Sequence, residues 1–169
     1  MKKVLIISAT SFSNYDLSIN MKSILDKHSV DGDVLNLETY DLPLFKAGNY
    51  ENQKDAIKDS LDEIVDKLIS SKGLIFCAPE YNGSIPPIVT NFIAWISVAT
   101  NHWRDGFKDK FGLVASSSGG EAIKYNVAMK NQLEHLGVIV LPRTINVSSS
   151  KTYDHTSVEK KLLKFINLL

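Results

Sequence analysis

Apolar positions along this chain alternate between two patterns. Short, nearly unbroken runs recur, as in Val4-Leu5-Ile6-Ile7, Ile75-Phe76-Cys77-Ala78 and Val138 to Leu141. They lack the in-out alternation of a half-exposed sheet, so they predict strands buried on both faces, as in a parallel sheet. The strands are expected over residues 3–8, 33–37, 73–78, 111–116 and 138–141. Between the runs, apolar residues return every three or four positions. Leu17, Met21, Ile24 and Leu25 predict a helix over residues 15–27, and Ile57, Leu61, Ile64, Val65 and Leu68 a long one over 53–71. Ile88, Val89, Phe92, Ile93 and Ile96 share the face of a helix opening at Pro86-Pro87, where a missing N–H is harmless. A helix over 121–136 offers Ile123, Val127, Met129, Leu133 and Leu136 to the core and stops at Gly137. Val158, Leu162, Phe165, Ile166 and Leu169 mark a closing helix. Five strands alternating with five helices describe an α/β protein whose parallel sheet is covered on both faces.

Composition narrows the function. The 169 residues suit a single domain, 1–169, with a substantial core. Nineteen basic residues balance nineteen acidic ones, so no net field favours nucleic acid or an anionic membrane. No apolar stretch approaches the ~20 residues that span a bilayer. Lys2-Lys3 before an apolar run imitates the start of a signal peptide, but the run is short and no small-residue cleavage site follows; a cytoplasmic protein is expected. The single cysteine, Cys77, forms no internal disulfide or cysteine cluster and reads as a small buried apolar residue. The four histidines show no metal spacing, and no serine–histidine–acid pattern is evident.

The chemistry is concentrated where strands give way to helices. After the first strand, Ser8, Thr10, Ser11, Ser13 and Asn14 fall within seven positions. A hydroxyl-rich loop at a helix amino terminus, with its unpaired N–H groups, suits a phosphate. A plain N-cap would need only one such residue. After the third strand, Pro79-Glu80-Tyr81-Asn82-Gly83 forms a tight turn. Its amides and the Tyr81 ring suit the edge of a planar heterocycle; otherwise Asn-Gly is simply a turn and Tyr81 a surface aromatic. After the fourth strand, Ser117-Ser118-Gly119-Gly120 lets a ligand approach main chain, or is a plain glycine turn. In an open parallel sheet such loops share one edge, where ligands sit.

Pro79 to Pro86, with Asn91 and Trp95 downstream, resembles the signature of the NAD(P)H-dependent FMN reductase family. That family includes quinone, azo-dye and chromate reductases. Leu42-Pro43-Leu44-Phe45, the serine–glycine turn at 117–120, and Leu136-Gly137 with Val140-Leu141-Pro142 resemble other family segments. The resemblance implies a flavodoxin-like three-layer sandwich with a five-stranded sheet in the order 2-1-3-4-5. It implies FMN held by the three loops, NAD(P)H as co-substrate, a small quinone-like acceptor, and a homodimer or homotetramer. The first loop departs from the family: Ser8, Ala9 and Ser11 stand where a glycine, a serine and an arginine are usual. A charge-assisted phosphate partner is thereby absent. Two other readings stay open: a flavodoxin-type electron carrier, against which the neutral charge speaks, and a relative that kept the fold without FMN.

Overall fold

The computed structural model describes residues 2–169. Its sheet is all parallel, with the strands in the order second, first, third, fourth, fifth, and a sixth strand also pairs with the fourth. The strands are β1 (Lys3–Ser8), β2 (Asp31–Asn36), β3 (Gly73–Cys77), β4 (Phe111–Ser117), β5 (Ile139–Val140) and β6 (Ile145–Val147). The helices are α1 (Ser13–Lys27), α2 (Tyr50–Lys54), α3 (Lys58–Ser70), α4 (Pro87–Ala99), α5 (Ile123–His135) and α6 (His155–Ile166).

The unbroken apolar runs have the predicted cause. In β1, Val4 and Ile6 face α1 and α6, while Leu5 and Ile7 face α3, α4 and α5. In β3, Ile75 and Cys77 join the first core and Leu74 and Phe76 the second. Period-two side chains therefore meet apolar neighbours on both sides, and the three-layer sandwich follows.

The structure corrects the sequence in several places. The second strand begins at Asp31, earlier than expected, because register with β1 (Lys3↔Asp31) pairs polar residues at the sheet edge. The helix expected over 53–71 is broken: α2 is followed by a 3₁₀ turn, Asp55–Ile57, before α3. There Lys54 Nζ donates to the Val98 carbonyl at 2.7 Å and Ile57 packs on the core. The fifth strand is short because Pro142 has no N–H for a ladder. The chain rejoins β4 as β6, pairing Ala115 with Ile145 and Ser117 with Val147.

Two residues assigned to the core, Ile123 and Val127, are 66% and 65% exposed. The buried stripe of α5 is Tyr125, Asn126, Met129 and Leu133. Trp103 sits in a 3₁₀ turn preceding β4, at the opposite end of the strand from the candidate loops. It packs on the core and edge-on to Phe107 at 6.3 Å, with the Arg104 guanidinium 4.4 Å from its ring.

Candidate functional site

The loops after β1, β3 and β4 meet at the carboxyl rim of the sheet. Side chains tie them together in pairs. Asn14, 2% exposed in the first turn of α1, clasps the end of β4. Its Nδ2 donates to the Ser117 carbonyl at 2.9 Å, and its Oδ1 accepts the Ser117 N–H at 2.8 Å. The loops after β3 and β4 join where the Glu80 N–H donates to Ser118 Oγ at 3.3 Å.

Glu80 has a second task. Its Oε2 accepts the N–H groups of Lys124 and Tyr125 at 2.9 and 3.0 Å. These are first-turn amides of α5, which has no cap of its own: Ala122 precedes it in the left-handed region at φ 52° with no capping side chain. The carboxylate thus caps α5 from another loop, with the sign the helix dipole favours.

The 81–84 turn closes on itself. Tyr81 and Ser84 exchange N–H···O bonds of 3.2 and 3.0 Å, with Asn82 and Gly83 at φ 50° and 73°. This is a two-residue turn with both central residues left-handed, which Asn-Gly adopts most readily. Its closure uses the Tyr81 and Ser84 amides, and the Asn82 and Gly83 amides have no partner among the described residues. Tyr81 is half exposed and Pro79 is buried behind it. Lys124 passes over Gly83, where an added Cβ would lie 3.1 Å from Lys124 Cδ. Gly119 and Gly120 are exposed, and a Cβ on either would meet open space. A cleft of about 440 Å³ lies between Glu80 and the 118–124 segment.

The first loop is arranged differently from the expectation. Ser8 is fully buried and its Oγ donates to the Thr10 carbonyl at 2.9 Å, so it braces the loop. Asn14 likewise spends its amide on Ser117 and not on a ligand. Thr10 is buried, whereas Ser11 and Ser13 are exposed. The residue at the N-cap position is Phe12, which has no capping oxygen, so α1 opens without a side-chain cap. Two amides of this loop do have partners, and the first is the Ala9 N–H, which donates to the Cys77 carbonyl at 2.9 Å. The Ser11 N–H donates to Glu38 Oε2 at 2.6 Å.

A carboxylate already seated on this loop, together with the uncapped start of α1, shows that the loop accommodates an oxyanion. The Asn82 and Gly83 amides, and the open Gly119 and Gly120 that line the 440 Å³ cleft, suit the edge of a flat ring.

Sequence reading missed Glu38 and Lys124 and left Asn91 and Trp95 without a task. Register Ser8↔Asn36 sets the residues after β2 beside the first loop, which is the signal for Glu38. Asn91 Oδ1 accepts the Phe45 N–H at 2.8 Å, and its Nδ2 donates to the Pro43 carbonyl at 3.1 Å. Trp95 Nε1 donates to the same carbonyl at 2.6 Å, and its ring meets Phe45 edge-on at 5.3 Å. One turn apart on α4, the two side chains pin the 42–45 loop to the core, leaving only Leu44 well exposed there.

Cys77 lies directly behind this rim, with its Sγ 3.4 Å from the Asn14 carbonyl. Burial pushes its thiol up to about 12. Native protein should therefore resist thiol-alkylating reagents that modify the unfolded chain at once; stoichiometric labelling of folded protein would contradict the buried placement. A raised folded value contributes stability that is present below the unfolded cysteine value and fades as pH climbs through the folded one. Burial raises the Tyr125 phenol in the same direction, so the fold should loosen in alkali, above the ordinary cysteine value of 9.0.

The fold is a flavodoxin-like α/β sandwich whose three loops are tied together at the carboxyl rim of the sheet. The sequence profile of the NADPH-dependent FMN reductases matches residues 2–152, and the chain belongs to that family. Membership assigns FMN as cofactor.

Among solved structures, the flavoenzyme NAD(P)H:(acceptor) oxidoreductase FerB of Paracoccus denitrificans superposes with TM-score 0.72 at 22% identity, over 98% of this chain and 91% of that one. An FMN-dependent NADH-azoreductase of Bacillus anthracis gives 0.70 at 16% identity, over 98% and 99%. At these identities the likeness shows the fold. By sequence, an uncharacterised Mycoplasma pneumoniae protein, the MG342 homologue, is 31% identical over 53% of this chain and 58% of its own length. The NADH:(hydroxy)cinnamate reductase subunit CrdA of Vibrio ruber is 30% identical over 49% of this chain and 37% of its own. The matches thus span about half or less of those proteins. No helix among the described residues is long and apolar enough to cross a membrane.

Proposed function

We propose that this chain is an FMN-dependent NAD(P)H oxidoreductase that passes electrons from NAD(P)H to a quinone-like or other small acceptor. The observation that carries the reading is the tying of three loops into one rim through Asn14–Ser117 and Glu80–Ser118. Bound FMN supplies the hydride and electron chemistry. The protein's residues bind and orient. Amides and hydroxyls of residues 10–13, at the start of α1, hold the phosphate. Amides at 82–83 and 119–120 line the ring edge, since the Ser118 N–H is already given to the Val147 carbonyl at 3.0 Å, and Tyr81 bounds the space beside it. Pro79 and Glu80 set the turn that presents these groups, and Ser8 and Asn14 keep the first loop in shape. No side chain is required as nucleophile or metal ligand.

We further place the chain in the cytoplasm, as one domain over residues 1–169 assembled into a homodimer or homotetramer. Exposed Leu44, Ile123 and Val127 supply apolar surface for such an assembly. Purified protein supplied with FMN should bind it, seen as a shifted and quenched flavin spectrum. It should then oxidise NADPH or NADH with a quinone as acceptor. Flavin binding without nicotinamide oxidation would leave a carrier; absence of flavin binding would remove the proposal.

A further inference from the structure

The proposed phosphate loop already holds an anion of its own. Glu38 follows β2 in a 3₁₀ turn, Leu37–Thr39, and its carboxylate takes the Ser11 N–H at 2.6 Å. The placement is braced on both sides by one residue. Asn36 Nδ2 donates to Ser11 Oγ at 2.9 Å, and Asn36 Oδ1 accepts the Glu38 N–H at 3.2 Å. The segment from Ser8 to Asn14 contains no basic residue to offset that charge. A phosphate arriving at the same amide therefore meets a carboxylate of like sign, at a place where a cation would have strengthened binding.

We infer that Glu38 is an internal competitor for the phosphate loop, which sets how strongly the protein prefers a phosphorylated flavin over an unphosphorylated one. The inference rests on the proposed placement of FMN. Before the phosphate takes the Ser11 amide, Glu38 must swing away, and it returns when the flavin leaves. FMN is then held loosely enough to exchange, and its advantage over riboflavin is smaller than the loop's amides alone would give. Glu38 is exposed, so its motion meets little packing resistance.

The test compares flavin-free wild type with E38Q and E38A, measuring dissociation constants for FMN and for riboflavin by quenching of flavin fluorescence. In low salt, both variants should bind FMN more tightly by roughly tenfold, the order expected for like charges in contact at an exposed site. Riboflavin affinity should stay within about twofold of wild type, since it has no phosphate to repel. The FMN gain should shrink in ~1 M salt, where the screening length falls to about 3 Å. Equal FMN affinity in wild type and both variants overturns the role of Glu38 and leaves the FMN site standing. Weaker FMN binding by the variants, or an equal gain for riboflavin, overturns it as well. Failure of wild type and variants alike to bind any flavin removes the site itself, and this inference with it.

Discussion

Replacing Asn14 with leucine should lower the melting temperature by roughly 6–12 °C and abolish FMN binding. Leucine matches the amide in size, so the change removes two hydrogen bonds while leaving little cavity. What remains is a Ser117 N–H and a Ser117 carbonyl against an apolar side chain. Each orphaned buried backbone group costs about 1–3 kcal/mol, so the pair should lose about 3 kcal/mol. For a domain of this size 1 kcal/mol moves the midpoint by about 2–4 °C. Asn14→Asp separates the two bonds: it keeps the acceptor for the Ser117 N–H but sets a carboxylate against the Ser117 carbonyl. It should therefore melt nearly as low as the leucine variant at neutral pH. Thermal melts followed by circular dichroism give the number, and fluorescence titration gives the affinity. A leucine variant that melts within about 2 °C of wild type would show that the clasp carries no weight.

Glu80→Ala should lower stability by about 2 kcal/mol, with the effect concentrated at one helix end. Capping side chains contribute ~1 kcal/mol and up to about 2 in proteins, and this one takes two amides. Ala122, left-handed and without a capping side chain, offers no substitute. Hydrogen exchange should quicken at the Lys124 and Tyr125 amides before the rest of α5 responds. Glu80→Gln retains an acceptor and loses the charge, so it should fall between, short of wild type by the ~0.3–1 kcal/mol that a charge at a helix start supplies. If the alanine variant exchanges those two amides at the wild-type rate, the capping role is wrong.

The architecture was readable because its strands are buried on both faces. The unbroken run Val4-Leu5-Ile6-Ile7 suits a covered parallel sheet, and α1, α6 and α3 to α5 supply the cover. Short or edge elements were less readable. β6 is three residues long with Asn146 at its centre, and its only signature is a partner, Ser116, that lies thirty positions earlier. The face of α5 was misjudged because Asn126 turns inward while apolar Ile123 and Val127 turn outward. The loops of the candidate site were picked out by residue type, but type does not separate a ligand from a brace. Asn14 carries the chemistry of a phosphate ligand, and only the proximity of Ser117 turns it into a clasp. Glu38 was invisible for the same reason: its contact depends on the register of β1 with β2.

The two borders of the sheet bear on how copies of this chain can meet. One border is β2, which opens Asp31-Gly32-Asp33. The other is divided between β5 and β6, two and three residues long, with Pro142 in the gap. Acidic side chains on one outer strand and a proline break on the other both discourage edge-to-edge pairing. Self-association of this protein must therefore be built from helix sides and loop tips, not from a sheet continued across two molecules.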